Sequence, residues 1–396
     1  MKPIRLLLAL VIYFFPLFLT AQVNISGSLH SNFYALEEPL NTQRLDYYQG
    51  LRLTVTPEKY DDLYLSTYFR YAKRGDDDWE DRFYNLYLNW KTAEDRLQFR
   101  LGRQFTYLGV INGTLDGLLV SGKPVENLNV KLFGGLDAPL ARDLELREWD
   151  EGNVLGAYAD YRLPYSIKLD LSYFQKERQD ETVWQLVGAG LSGKAYSGLY
   201  YQMQIDHNLQ TEKLQGMRYR LNYYWQKWSF SGEYNSQRPR IEEDSYFRIF
   251  RLRDYDQFRF GTTYQLLEDY QVGLQYIYTD FIGDENNQAI LTIGNPWGIL
   301  GFVYQDGFGG ENVGLYGDIR YDLFPQLTFT LNSSYYNFER RAVQISEDAT
   351  SFSGGFIYRP LNDLSVQIEL QESINSFYDN DFRGLFRLNY FFRNKL

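Results

Sequence analysis

The stretch Leu63-Tyr64-Leu65-Ser66-Thr67-Tyr68-Phe69-Arg70-Tyr71 places Leu63, Leu65, Thr67, Phe69 and Tyr71 at every second position. Tyr64, Ser66, Tyr68 and Arg70 fall between them. Alternation of this kind is the period of a β-strand with one apolar and one wet face; a helix repeats every 3.6 residues and cannot sustain it. The same reading holds for Ile167, Leu169, Leu171 and Tyr173, for Leu199, Tyr201, Met203 and Ile205, and for Met217, Tyr219, Leu221 and Tyr223. It recurs at Trp228 to Tyr234, Phe258 to Tyr264, Tyr270 to Tyr278, Leu327 to Tyr335 and Leu364 to Leu370.

Between these runs the connections alternate in length. Short ones occur at Pro57 to Asp62, Lys91 to Asp95, Arg162 to Tyr165, Trp225 to Lys227, Leu266 to Asp269, Leu323 to Gln326 and Arg359 to Asp363. Longer, charged ones are expected at Gly135 to Gly152, Arg238 to Tyr255, Asp280 to Asn295 and Phe338 to Thr350. Short periplasmic turns and long extracellular loops are the habit of outer-membrane barrels. The expected fold is therefore all-β: a single transmembrane antiparallel β-barrel of about 18–22 strands, an even number, over residues 22–396. The count blurs at Ala289 to Tyr304, where Pro296 and several glycines interrupt the pattern.

Composition agrees. There are 36 Tyr, 28 Phe and 7 Trp, more aromatic residues than soluble proteins carry, and membrane barrels gather such residues into two interfacial girdles. Outward positions beside the short turns include Trp90, Tyr161, Tyr223, Trp228, Tyr264, Tyr270, Tyr321 and Tyr358; at the other ends stand Tyr71, Tyr173, Tyr234, Tyr278 and Tyr335. A soluble β-sandwich has no reason to place aromatics at both ends of every hairpin, and no blade repeat suggests a propeller. Cysteine is absent, which excludes disulfides and thiolate chemistry. The formal charge of −11 argues against nucleic acid as a partner. Lys2 and Arg5 followed by an uncharged run from Leu6 to Leu19 read as a signal peptide spanning residues 1–21, cut after Ala21 and directing the chain to the Gram-negative outer membrane.

With the apolar face toward lipid, the polar face lines the lumen. It carries Arg52, Arg70, Arg100, Lys131, Lys168, Lys176, Arg218, Arg220, Arg259, Arg320, Arg383 and Arg387, against Asp160, Asp170, Asp206, Glu233, Asp318 and Glu369. A basic wall biases a pore toward anions. The alternative is pairing across neighbouring strands, as of Arg320 with Asp318 or Lys168 with Asp170. One place breaks the alternation: extending the pattern from Leu97 through Leu101 turns Arg103 toward lipid, at a cost of roughly 2 to 4 kcal/mol at mid-depth. Either Arg103 lies at the upper interface or, the favoured reading, a bulge at Gly102 turns it into the pore, with Asp116 as partner of Arg100 or Arg103.

Gly102-Arg103-Gln104 with Asp116-Gly117 resembles the GRQ and DG pattern of alginate-export-type porins. The resemblance covers some 25 to 40 residues by that motif and implies a barrel of about 18 strands whose basic lumen passes acidic saccharides or small anionic solutes. Phe386, Tyr390 and Phe392 make an aromatic final strand of the kind the barrel-assembly machinery reads, although Arg393 to Leu396 follow it.

Catalysis is not expected. The two histidines, His30 and His207, adjoin Ser31 and Asp206, and consecutive strand residues point to opposite faces. No cofactor motif and no metal cluster appear; Glu242, Glu243 and Asp244 read as a solvated charge run rather than a calcium loop. The first strand follows Ala21 so closely that no plug domain of an energy-coupled receptor is expected. The expected partners are outer-membrane lipid, the assembly machinery and small solutes. The competing function is a non-conducting barrel, its lumen filled by Tyr64, Tyr68, Tyr200 and Tyr336, that anchors a secretion or surface partner.

Overall fold

The computed structural model describes residues 22–395 apart from 38–42, 61, 93–95, 243, 246–252, 309, 341–344 and 377. The signal-peptide reading of residues 1–21, and Glu243 of the charge run, lie outside the described residues. The first strands are β1 (Val23–Glu37), β2 (Gln43–Pro57), β3 (Leu63–Arg74), β4 (Glu80–Lys91), β5 (Leu97–Leu108), β6 (Ile111–Val125) and β7 (Leu128–Asp137). Then come β8 (Asn153–Leu163), β9 (Ile167–Arg178), β10 (Glu181–Tyr196), β11 (Leu199–Asn208), β12 (Lys213–Trp225), β13 (Trp228–Gln237) and β14 (Tyr255–Gln265). The last are β15 (Gln271–Phe281), β16 (Asp284–Asn295), β17 (Gly298–Gly307), β18 (Glu311–Phe324), β19 (Leu327–Arg340), β20 (Ile345–Leu361), β21 (Leu364–Asn375) and β22 (Tyr378–Lys395).

Each strand pairs antiparallel with the next, and β1 pairs with β22, so the 22-stranded sheet closes without an edge. Closure satisfies every backbone ladder internally, which is the condition for crossing lipid with strands. The alternation decides the two faces. Leu132, Leu155, Leu171, Leu221, Leu300 and Leu315 stand exposed on the outside, while their sequence neighbours line the interior. At the outer ends of the strands the rings touch one another: Trp90 against Phe99 at 5.4 Å, Trp228 against Tyr264 at 4.5 Å, and Tyr234 against Phe258 at 4.7 Å. At the seam, Phe33 of β1 meets Phe386 of β22 at 5.9 Å. The ring of Phe392 covers Gly27, whose missing side chain leaves room for it.

Two expected loops are strands instead. Phe281 pairs with Asp284 across a two-residue turn at Ile282 and Gly283, and β16 then runs to Asn295. Gly283 has φ +85 and supplies the left-handed residue this turn needs. Likewise β19 continues to Arg340 and β20 begins at Ile345. Above the lipid band a ladder needs no apolar side chains, so the polar ends of these hairpins read as loops although their backbones stay paired. The segments 138–152 and 238–254 do connect strands at the loop end of the barrel, as expected.

Candidate functional site: the lumen and its inward hairpin

Among the described residues the wall of the barrel breaks at the GRQ and DG residues. Pairing of β4 with β5 ends at Leu86 and Arg103, and pairing of β6 with β7 begins at Leu115 and Asp137. Above that level the strand ladder of β5 and β6 runs between those two strands alone, from Gln104 opposite Leu115 to Leu108 opposite Ile111. The crease is a rung of three glycines, Gly102, Gly117 and Gly135, on three adjacent strands. Gly102 has φ +121, and a side chain on Gly117 would stand 2.2 Å from the Gly134 carbonyl and 2.7 Å from the Gly135 Cα. Only glycine permits so close an approach. Gln104 caps the crease: its amide donates to the carbonyls of Arg100 at 3.1 Å and Gly117 at 3.2 Å.

Folded at this crease, the inner face of the hairpin lies on the inner face of the neighbouring wall. Val110, Ile111 and Leu115 are 1 to 2% exposed and pack with Phe133, Val154, Tyr158, Phe174, Trp184 and Leu186, lumenal residues of β7 to β10. The Val110 amide donates to the Ser172 hydroxyl at 3.1 Å. Three such side chains stabilise the inward position by about 1.5 to 3 kcal/mol each. The opposite face, with Phe105, Tyr107 and Asn112, looks away from that wall and is exposed.

The place the hairpin vacates beside β4 is filled by the segment that follows β7. The Phe83 amide donates to the Arg142 carbonyl at 2.7 Å, and the Ala138 amide to the Thr114 carbonyl at 3.2 Å. Arg103 lies beneath this segment. Its guanidinium forks onto Asp116, with Nε and Nη2 each 2.7 Å from a carboxylate oxygen. It also donates to the carbonyls of Asp143 and Glu145. Both side chains are almost wholly buried, at 3 and 6% exposure.

This corrects the expectation at Gly102. The register of β5 with β6 is continuous through Gly102, so no bulge turns Arg103 into the pore. The whole hairpin departs instead, and the loop covers the face that alternation assigned to lipid. Arg103 and Asp116 form a buried latch and do not line an open lumen. The register shift nearest the hinge lies in β4, at Tyr84, two residues above Leu86, where β5 leaves. A second set of ion pairs ties Arg240, Glu242 and Asp244, which follow β13, over the same wall: Lys176 to Glu242 at 2.7 Å, Arg178 to Asp244 at 2.7 Å and Arg240 to Asp206 at 3.4 Å. Glu242 and Asp244 are therefore paired with cations.

Below and beside the hairpin, a basic wall crosses β2 to β9. Arg52 stacks over Tyr68 at 4.6 Å, Tyr68 stacks on Tyr84 at 4.8 Å, and Arg70 lies 5.4 Å from Tyr84 and 5.5 Å from Tyr48. Arg100 lies 4.6 Å over Tyr87. Lys168 donates to the Tyr158 hydroxyl at 3.0 Å rather than to Asp170. Among the described residues no carboxylate lies within ion-pair distance of Arg52, Arg70, Arg100, Lys131 or Lys168, and the Nε atoms of Arg70 and Arg100 are buried without a hydrogen-bond partner. Ring faces hold these guanidinium groups flat, which leaves their N–H edges for a ligand.

The remaining expected positions are distributed around the ring. Arg220 pairs with Glu233 at 2.5 Å; Arg218 lies opposite Gln204 and Asn235. Arg259 donates to Gln257 at 3.1 Å, and Arg387 to Asn32 at 2.9 Å. Arg320 sits at the short-turn end, its amide bonded to the Trp297 carbonyl. Phe386, Tyr390 and Phe392 share the outer face of β22. The apolar cluster inside the barrel was not foreseen, though the run Leu118-Leu119-Val120 already broke the alternation. His30 and Ser31 do point apart: the imidazole bonds Ser28 and Asn389, and Ser31 bonds Gln49.

No family model matches the chain, and no curated protein matches it. Solved structures do. The translocation pore of the P pilus usher PapC superposes with a TM-score of 0.55 at 10% identity, covering 93% of this chain and 99% of that one. Pseudomonas aeruginosa OpdK, solved with vanillate, gives 0.44 at 10% identity over 94% and 99%. Pseudomonas aeruginosa OpdQ gives 0.44 at 11% over 95% and 99%. At these identities the likeness is one of fold: a single closed all-β barrel of the outer-membrane type.

Proposed function

We propose that this protein is a porin-like channel of the Gram-negative outer membrane, passing small hydrophilic anions or acidic saccharides without energy coupling. The observation that carries this reading is the set of lumenal cations, Arg52, Arg70, Arg100, Lys131 and Lys168, left without carboxylate partners. Arg218, Arg259, Arg320 and Arg387 extend the positive lining toward the other strands.

Geometry supports selectivity as well as passage. A circular ring of this many strands, spaced about 4.8 Å and tilted about 40°, is about 44 Å across between backbones. Wall charges act over about 8 to 10 Å in physiological salt, so an unobstructed lumen of that width would discriminate poorly. The inward hairpin, five rungs and about 17 Å long, removes part of that width. Passage is thereby brought nearer the charged wall. Phe386, Tyr390 and Phe392 serve the assembly machinery in this reading, and residues 1–21 direct export.

Reversal potential in a planar bilayer under a salt gradient tests the proposal. Preference for chloride over potassium is expected; a cation preference overturns it. One observation favours a second reading, a non-conducting anchor for a surface or secretion partner: the inward hairpin with its apolar cluster, and Arg240, Glu242 and Asp244 tied over the same wall, occupy one side of the lumen. Absence of conductance steps from folded protein, with a partner that co-purifies, selects that reading.

A further inference from the structure

The lumenal face of the seam carries a row of polar side chains that neither channel nor anchor uses. Ser28 and His30 lie two residues apart on β1 and therefore share a face. The Ser28 hydroxyl is 2.7 Å from His30 Nε2. On the other side of the ring, His30 Nδ1 is 2.7 Å from Asn389 Oδ1, and Asn389 lies opposite His30 on β22. Asn389 Nδ2 in turn donates to the Ser365 hydroxyl at 3.3 Å, on β21. With the amide oxygen toward the ring, it accepts the Nδ1 proton, and in that tautomer Nε2 is the acceptor for the Ser28 hydroxyl.

We infer that Ser28, His30 and Asn389 form a serine hydrolase centre in the lumen wall, acting on carboxylic esters that carry a negative charge. A nucleophile and base in hydrogen-bond contact, with the base oriented by a third group, is the arrangement such chemistry needs; an amide oxygen can take the third place and orient the ring, without the charge a carboxylate would add. The reason consecutive residues fail as a pair does not apply here, because residues two apart point the same way. The surroundings favour the role. Arg52, opposite Ser28 in the register, has no carboxylate partner and supplies donors for the carbonyl oxygen as it becomes negative. Phe391, also opposite Ser28 and 51% exposed, stands edge-on to the imidazole at 6.1 Å and offers an apolar surface to the acyl group. Gly50 opposite His30 leaves the ring uncrowded. The basic wall draws anions to this face.

The reaction balances within these groups and water. Ser28 Oγ attacks the ester carbonyl while its proton passes to His30 Nε2; the C–O bond to the alcohol breaks, and the alcohol leaves with that proton. Water then gives a proton to the same nitrogen as it attacks the acyl-serine, and release of the acid restores the serine. No oxidant or cofactor enters. The inference requires only that water reach the lumen, so it stands whether or not the barrel conducts.

The test uses the full-length folded barrel in detergent, its folding checked by heat-modifiable mobility. A biotinylated fluorophosphonate is expected to label Ser28, located by peptide mass spectrometry. Hydrolysis of the 4-nitrophenyl monoester of succinate is expected to exceed that of 4-nitrophenyl butyrate, and Arg52→Gln to remove that preference. His30→Gln is expected to lower labelling by roughly 100-fold or more, the usual share of a general base, and Asn389→Ala to lower it less. Ser31→Ala, on the opposite face, leaves it unchanged. If folded protein shows no labelling at Ser28 under conditions that label a soluble serine esterase, the centre is a structural hydrogen-bond row and the inference fails. It fails equally if labelling persists at full rate in His30→Gln.

Discussion

Replacing Arg103 by alanine removes the latch while leaving the apolar face of the hairpin in place. Asp116 would remain beneath the 138–152 segment, 6% exposed and without its two charge-assisted bonds of 2.7 Å. Breaking a buried pair by deleting one member destabilises by about 3 to 5 kcal/mol, because the survivor stays desolvated. Were all of that to fall on the folded-in state of the hairpin, the population of the detached state would rise roughly 140- to 3,700-fold, at 1.4 kcal/mol for each tenfold. The chain has no cysteine, so a single Val110→Cys reports on one site. Val110 is 2% exposed, and its thiol in the parent is expected to react with a maleimide-polyethylene glycol only when the hairpin opens. Adding Arg103→Ala is expected to speed that reaction by about two orders of magnitude or more. The double change Arg103→Met with Asp116→Leu keeps the volume and removes both charges, and should stay near the parent rate. An acceleration below about threefold in Arg103→Ala would mean that the pair contributes little to holding the hairpin inward, and would refute the reasoning from its burial.

Other consequences concern the crease, the wall, the seam and the loop end. Gly117→Val places atoms within 2.2 Å of the Gly134 carbonyl and is expected to lower the urea midpoint by an amount equivalent to 1 to 3 kcal/mol or more. Gly113→Ala, with nothing within 4 Å of its added carbon, should be silent in the same titration. Arg70→Gln combined with Arg100→Gln is expected to reduce the chloride-to-potassium permeability ratio, and an unchanged reversal potential would remove these residues from the permeation path. Phe392→Ala uncovers Gly27 at the closing seam and is expected to slow the appearance of the heat-modifiable folded band in a pulse-chase. Finally, Arg74 donates both Glu80 contacts at 2.7 Å. Those hydrogen bonds hold the Glu80 carboxyl below its ordinary range. The contribution of the pair to the order of the β3 to β4 connection is therefore present above the ordinary glutamate value and lost as pH falls through the lowered one. Carbonyl chemical shifts of Glu80 followed against pH, with and without Arg74→Gln, check the direction.

Much of the barrel was legible because its physics is local. A strand half in lipid and half in water must alternate, so Leu63 to Tyr71 or Leu364 to Leu370 declare both their conformation and their outward face. The strand number lay at the upper limit of the expected range because the polar ends of β15 to β16 and β19 to β20 resemble loops when judged by side chains alone. The anomaly at Arg103 was visible for the same local reason. Its resolution was not, because a bulge and a folded hairpin both move a charge out of lipid, and the choice between them depends on residues some 40 positions away in the 138–152 segment.

Composition and periodicity therefore determined the class of fold and the two faces of each strand, since both follow from how single residues partition between lipid and water. Register determined everything else. Only the closed sheet aligns Gly102, Gly117 and Gly135 into one crease, and sets Val110 and Ile111 on the wall of β7 to β10. Only the seam brings Asn389 to His30 across 359 positions of chain. Such contacts join strands through hydrogen bonds of the backbone, which carry no side-chain signature, and so the pairs they create cannot be read from spacing along the chain.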